Sequence, residues 1–342
     1  MTTKSWRVAV LGATGLVGET IFKVLEERKF PVSELYPLAS SRSLGKDVRF
    51  NGKTYPVIDV ETFDFSNADI GLFSAGGEVS RIYAPKAAAA GCIVIDNTSE
   101  FRYEADVPLV VPEVNPQAIA DYRRRGIIAN PNCSTIQMLV ALKPLHDAAG
   151  IERINVATYQ SVSGAGKEAV DELAEQSVAL MSGKGPVKAR VLPAQIAFNV
   201  VPQIDKFMDN GYTKEEMKML WETRKILGDE SIRVNATTVR VPVFFGHSEV
   251  VSIETRRKLT AAEAKKLLEK APGVEVIDTR KSGGYPTAAV QAAHSDMVFV
   301  GRIREDMSHE RGLTMWVVSD NVRKGAATNS VQIAEILVRE HL

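Results

Sequence analysis

The sequence predicts a two-domain α/β protein: a parallel sheet wrapped by helices, then an α+β domain with a mostly antiparallel sheet. Three observations carry this. Over the first 130 residues, short apolar runs alternate with helically spaced ones, the pattern of strands covered on both faces. The first run meets the first helix through a glycine-spaced turn. After residue 150 the alternation stops, and strand-like runs follow one another without regular helical spacers. A length of 342 residues accommodates two domains at ~150 residues each.

Taken in order, Arg7-Val8-Ala9-Val10-Leu11 reads as a buried strand, and Val17, Ile21, Val24 and Leu25 follow at helical spacing. Residues 35–39, 70–73, 92–95 and 127–129 are further strands, and the alanine-rich stretch 82–90 is a covering helix. Beyond 150, residues 154–160 alternate as a strand does, and 167–181 carry a helical apolar face. Residues 182–202 read as a long loop, and 213–228 as a helix opened by a Thr213/Glu216 capping box. Strands are expected at 239–245, 250–255, 274–277, 297–303 and 313–318, then a final helix at 330–337. The expected division is residues 1–132, completed by a C-terminal helical segment 324–342, and residues 133–323.

Composition narrows the function. The 42 basic and 42 acidic side chains cancel, so no electrostatic surface for nucleic acid or an anionic membrane is expected. No apolar run approaches the roughly 18 residues of a membrane span, and because the start passes directly into a strand, without a separate apolar core and cleavage site, no signal peptide is expected. Two cysteines make neither a disulfide framework nor a four-thiolate metal site. A soluble cytoplasmic protein acting on small molecules, with no metal, is the expectation.

The turn Gly12-Ala13-Thr14-Gly15-Leu16-Val17-Gly18 lies between strand and helix, where glycines let the backbone approach a pyrophosphate and the helix start offers free N–H groups. An NAD site usually carries Asp or Glu at the end of the second strand, to hold the ribose hydroxyls. Here that strand runs into Ser40-Ser41-Arg42-Ser43, whose hydroxyls and guanidinium suit a 2′-phosphate, so NADP is the expected cofactor.

Cys133 lies in Asn130-Pro131-Asn132-Cys133-Ser134-Thr135, just ahead of a helically spaced run, where the helix dipole favours a thiolate. Cys92 begins a strand and reads as a packed thiol. Among five histidines, His146, His309 and His341 read as surface or packing residues. His247 follows Phe244-Phe245-Gly246 at a strand end; spacing alone favours it only slightly over His294. The run Ser163-Gly164-Ala165-Gly166-Lys167 lacks the leading glycine and the final Ser/Thr of a P-loop, so ATP binding is not expected.

Taken together, GATGLVG, NPNCST around Cys133, YQSVSGAGK from Tyr159, EEMKM from Glu215, RVPVFFGHSE and SDNVRKGAA resemble the aspartate-β-semialdehyde dehydrogenase family nearly end to end. Glyceraldehyde-3-phosphate dehydrogenase shares the overall plan but not these segments. The resemblance implies NADP-dependent, reversible reductive dephosphorylation of aspartyl-4-phosphate to aspartate semialdehyde, on the route to lysine, methionine and threonine. It implies that Cys133 is the acyl-thioester nucleophile, that His247 is the acid/base and that Gln160 orients the acyl group. Arg240 and Glu215 would hold the substrate carboxylate and ammonium, and Arg102 and Lys218 the phosphate. Gly12, Thr14, Gly15, Leu16, Val17, Ser41, Arg42, Ser43, Ser163, Gly164 and Asn321 would line the cofactor site. A homodimer or homotetramer built through the second domain is implied as well. Two rivals are an N-acetyl-γ-glutamyl-phosphate reductase, whose acetylated substrate has no ammonium for Glu215, and a non-catalytic NADP-binding regulator, which would not need Cys133 or His247.

Overall fold

A computed structural model of the protein describes residues 4–342. The chain forms two compact units: residues up to Asn132 together with Ala326–Leu342, and Cys133–Gly325.

The first unit begins with β1 (Trp6–Leu11), α1 (Leu16–Glu27) and β2 (Val32–Ala39). A short hairpin of β3 (Asp47–Phe50) and β4 (Lys53–Pro56) leads to β5 (Ile58–Asp59). Then come β6 (Ile70–Phe73), α2 (Gly77–Ala89), β7 (Ile93–Asp96) and β8 (Ile127–Ala129). The sheet runs β5-β2-β1-β6-β7-β8, and every pair in it is parallel. Val8, Ala9, Val10 and Leu11 are all buried, as a central strand covered on both faces requires. The strand order reverses between β2 and β6 on either side of β1, a switch point that opens a crevice at the strands' carboxyl ends. The C-terminal helix (Thr328–Glu340) adds Val331, Ile333, Ala334 and Leu337 to this core, and Glu335 accepts two hydrogen bonds from Arg28. The β3–β4 hairpin is absent from the sequence reading, although Asn51-Gly52 is a strong hairpin signal; both residues have positive φ, 49° and 74°.

The second unit opens with α3 (Cys133–Ala149) and β9 (Ile151–Gln160), then α4 (Lys167–Met181) and α5 (Lys214–Leu227). It continues through β10 (Arg233–Arg240), β11 (His247–Thr255), α6 (Ala261–Leu268), β12 (Val274–Val276), β13 (Val298–Glu305) and β14 (Gly312–Ser319). The sheet order is β10-β9-β11-β14-β13-β12. Its three central pairings are antiparallel and its two outermost parallel, so the sheet is mixed but mostly antiparallel. Helix α3 packs on the sheet and against α5 and α6, which is why eleven of its residues are buried.

Two expectations for this unit are corrected. The strand placed at 239–245 is Arg233–Arg240 instead, and 241–246 is a loop. Pro242 lacks the N–H a ladder needs, and Gly246 turns with φ 88° to start the next strand. The strands are also not free of helical spacers, because α6 lies between β11 and β12 behind its own capping box, Thr260/Glu263. The capping box read at Thr213/Glu216 is present on α5.

Candidate active site

In the first unit the glycine turn occupies the switch-point crevice. Gly12 has φ 91°, and a Cβ there would stand 2.9 Å from the Ser74 carbonyl group. Gly18 lies so close to the Gly12 carbonyl that no side chain fits. Gly15 is the N-cap of α1, with no side chain capping the helix, and Leu16 and Val17 open its first turn. The shape is a backbone cradle at a helix start, which suits a pyrophosphate. Thr14 Oγ1 lies 3.1 Å from Ser43 Oγ, drawing this turn to the short helical turn Ser41–Ser43 that follows β2 and exposes Arg42. Arg102 is buried in the same unit, where Nε donates to the Asn130 carbonyl at 2.9 Å and Nη2 to that of Asn97 at 2.8 Å.

In the second unit, Cys133 is the first residue of α3 and is half-buried. Gly325 packs against it; a Cβ at 325 would be 2.8 Å from the cysteine Cβ. Arg240, the last residue of β10, and His247, the first of β11, are both buried at the corner between these strands. Arg240 Nη1 donates to the Ser161 carbonyl at 2.8 Å, and the Ser161 nitrogen lies 3.1 Å from His247 Nδ1. Ser161 Oγ lies equally close, 3.1 Å from Nδ1, so the neutral ring can carry its proton on Nδ1, donating to that hydroxyl, and leave the Nε2 lone pair free. His247 Nε2 and Arg240 Nε have no hydrogen-bond partner in the protein. Gly164 packs closely beside them: a Cβ there would be 2.9 Å from Arg240 Nη1 and 3.2 Å from His247 Nε2, too near to be accommodated.

A second cluster adjoins. Gln160 Nε2 donates to Glu215 Oε1 at 3.2 Å, and Lys218 Nζ is 2.9 Å from Glu215 Oε2 and 2.8 Å from Asp205 Oδ2. Glu215 and Lys218 stand three residues apart on α5 and so share a face. Asn321 Oδ1 accepts from Ser161 Oγ at 3.0 Å and from the Gly246 N–H at 3.0 Å, and its amide donates to Ser163 Oγ at 3.0 Å.

Burial lowers the His247 pKa to about 3, with the Arg240 charge adding to it and Glu215 opposing. Burial likewise lowers Arg240, against the pull of Glu215 and Cys133. Burial works against the Lys218 ammonium, but Glu215 and Asp205 outweigh it and hold its pKa above the ordinary lysine value. The site therefore presents a thiol, a neutral imidazole whose Nε2 meets no hydrogen-bonding protein atom, and a buried guanidinium. Those are the parts of nucleophilic acyl chemistry on an anionic substrate.

Curated relatives resolve which chemistry. The chain is 62% identical over 339 residues to aspartate-semialdehyde dehydrogenase of Shewanella violacea, covering 99% of each sequence. It is 63% identical over 335 residues to the Legionella pneumophila enzyme of that name, covering 98% of this chain and 96% of that one. The chain belongs to the aspartate-semialdehyde dehydrogenase family. Two family models agree: "Semialdehyde dehydrogenase, NAD binding domain" matches residues 7–122, and "Semialdehyde dehydrogenase, dimerisation domain" matches 142–324. Among solved structures, aspartate semialdehyde dehydrogenase II of Vibrio cholerae complexed with ASA superposes with a TM-score of 0.97 at 60% identity, covering 99% of this chain and all of that one. The Candida albicans enzyme with NADP superposes at 0.76 with 27% identity, covering 98% of each chain.

Of the residues selected from sequence, the second unit holds Cys133, Gln160, Ser163, Gly164, Glu215, Lys218, Arg240, His247 and Asn321, with Glu215 and Cys133 acting on Arg240 through charge. Gly12, Thr14, Gly15, Leu16, Val17, Ser41, Arg42, Ser43 and Arg102 lie in the first unit. The P-loop-like stretch is a short helical turn, Val162–Ala165, followed by α4. His294 stacks on Phe245 with ring centroids 5.6 Å apart, and it is His247 that meets Arg240 and Ser161. Sequence reading missed Ser161, whose main chain ties Arg240 to His247, and Asp205, the second carboxylate on Lys218. Ser161 had a signal available, since it lies inside the same YQSVSG run as Gln160 and Ser163. Asp205 had none. Among the described residues no acidic, histidine or cysteine cluster could hold a metal ion, and no helix is long and apolar enough to cross a membrane.

Proposed function

We propose that the chain interconverts aspartyl-4-phosphate and aspartate semialdehyde with NADP, through a thioester on Cys133. The observation that carries this reading is the pair of buried, unpartnered nitrogens, His247 Nε2 and Arg240 Nε, packed around Gly164 in the unit that Cys133 opens. In the reductive direction His247 accepts the Cys133 proton, and the α3 N-terminus favours the thiolate. The thiolate forms a C–S bond to the acyl carbon as the C–O bond to phosphate breaks. Arg240 holds the substrate carboxylate through its planar fork, and Glu215 holds the ammonium. Lys218 takes the phosphate. Gln160, tied to Glu215, orients the acyl carbon. A bound NADPH supplies the hydride that reduces the thioester carbonyl. The C–S bond then breaks as the tetrahedral oxyanion re-forms the carbonyl, and His247 returns its proton to the departing sulfur.

The cradle at Gly12 and Gly18 suits the pyrophosphate, and Ser41, Arg42 and Ser43 suit the 2′-phosphate. Arg42→Ala should weaken NADP binding by ~1.5–3 kcal/mol, the range for hydrogen bonds to charged groups, and leave NAD binding nearly unchanged. Equal loss of both would remove Arg42 from the cofactor site.

A second copy of the chain fits the second unit's sheet face where Tyr159 is exposed and Val250 and Trp316 are half-buried. There Tyr159 and Trp316 lie together, ring centroids 5.7 Å apart, with Val250 paired to Trp316. This is the stretch that matches the dimerisation model.

The deciding assay is phosphate-dependent reduction of NADP with aspartate semialdehyde, run beside N-acetylglutamate semialdehyde. Turnover of the first alone is expected, because Glu215 needs a cationic amine. Preference for the acetylated compound would overturn the assignment.

A further inference from the structure

Behind the thiol and the imidazole lie two polar side chains for which the reaction has no use. Gln137 is four residues beyond Cys133 and on the same face of α3, and Glu249 is two residues beyond His247 and on the same face of β11. Helix α3 packs on β11, and both side chains are completely buried. Gln137 Nε2 donates to the main-chain oxygen of His247 at 3.4 Å. Gln137 Oε1 and both carboxyl oxygens of Glu249 have no hydrogen-bond partner, although Gln137 is the hydrogen-bonding side chain beside Glu249.

Three buried oxygens without a donor are an unstable arrangement, since each has lost its water and gained nothing. Turning the Gln137 amide over does not help, because it would set an oxygen against the His247 carbonyl, which can only accept. One proton on Glu249 resolves all three. As a carboxylic acid its O–H donates to Gln137 Oε1, and its other oxygen accepts one N–H of Gln137 Nε2. The second N–H of that amide stays on the His247 carbonyl. Burial acts in the same sense, holding the Glu249 carboxyl well above the usual range against the opposing pull of Gln137.

We propose that Glu249 is a positioning residue: a neutral acid, paired with the Gln137 amide, that braces the helix bearing Cys133 against the strand bearing His247. The brace sets the distance over which the proton passes between them. It rests on the roles proposed above for those two residues.

Two variants and one spectrum test it. Glu249→Gln presents one donor and one acceptor to Gln137 without a titratable proton, and it should keep the wild-type kcat. Glu249→Leu is similar in size but presents neither; its kcat should fall by ~10–100-fold, as a misplaced reacting pair implies, with KM for the semialdehyde and affinity for NADPH unchanged. An infrared difference spectrum of wild type against Glu249→Gln at neutral pH should contain the C=O stretch of a protonated carboxyl. Carboxylate bands in its place, a Gln variant as impaired as the Leu variant, or a Leu variant with normal kcat would each overturn the proposal. The spectrum does not depend on turnover, so it separates failure of the brace from failure of the assigned reaction.

Discussion

Cys92 is wholly buried, and burial pushes its thiol up to about 12, with Asp69 adding to the shift. Cys133 is half-buried at the start of a helix, with Gly325 against it. Cys133→Ser should nearly abolish turnover while NADPH binding survives, since a hydroxyl is a far weaker nucleophile. Cys92→Ser should leave the kinetics close to wild type. The check is steady-state rate beside cofactor titration of both variants. His247 carries a pH prediction in two parts. Its folded pKa of about 3 lies below the 6.5 of an ordinary histidine, so between these values only the unfolded chain takes up the proton. Wild-type stability should therefore fall as pH drops below about 6.5, by at most ~1.4 kcal/mol per pH unit relative to His247→Gln, read from denaturation midpoints. Part of that depression comes from Arg240, so a substrate carboxylate on the guanidinium cancels it. The acid limb of kcat, which reports the complex, should then lie at higher pH than that of kcat/KM, which reports the free enzyme. Coincident limbs would mean that Arg240 does not carry the carboxylate.

At the scale of elements, α5 shows how a local signal can place a distant contact. The Thr213 hydroxyl accepts from the Glu216 N–H at 3.3 Å, and Glu216 accepts from the Thr213 N–H at 2.7 Å and from the Thr238 N–H on β10 at 2.9 Å. The cap thus fixes both the start of α5 and its seat beside the strand that ends in Arg240. Thr213→Ala should cost about 1 kcal/mol in a urea titration. It should also raise KM for the semialdehyde more than it lowers kcat, because Glu215 lies in the loosened turn. This capping box was legible because it is a four-residue pattern with its own hydrogen bonds. The strands of the parallel sheet were legible because burial on both faces writes a continuous apolar run. The strand 233–240 was not, because it interleaves arginine, asparagine and threonines with its apolar positions, while the more apolar 239–245 continues past it into a loop. Helix α6 escaped because it has only eight residues, too short to establish a period against its neighbours. The thiol stood out by its Pro-flanked turn. Gln160 and Arg102 were reached only through resemblance, and Asp205, Gln137 and Glu249 were not reached, because their partners lie far away in sequence.

For the whole molecule, the second unit begins at Cys133 and ends at Gly325, and those two residues touch. A segment whose ends meet is, topologically, an insertion: the host's two strands of chain, 132 and 326, need only a short bridge to become continuous. A polypeptide in which a few glycines join Asn132 to Ala326 should fold on its own, with the C-terminal helix still docked on α1 through the Arg28–Glu335 pair. It should unfold in one cooperative transition and retain a weakened affinity for NADPH; a chain that stays unfolded by circular dichroism would show that the host depends on its insert. The same adjacency makes Cys133 the suture of the molecule. Any ancestral splice that placed one module inside the other would have left its scar at that cysteine.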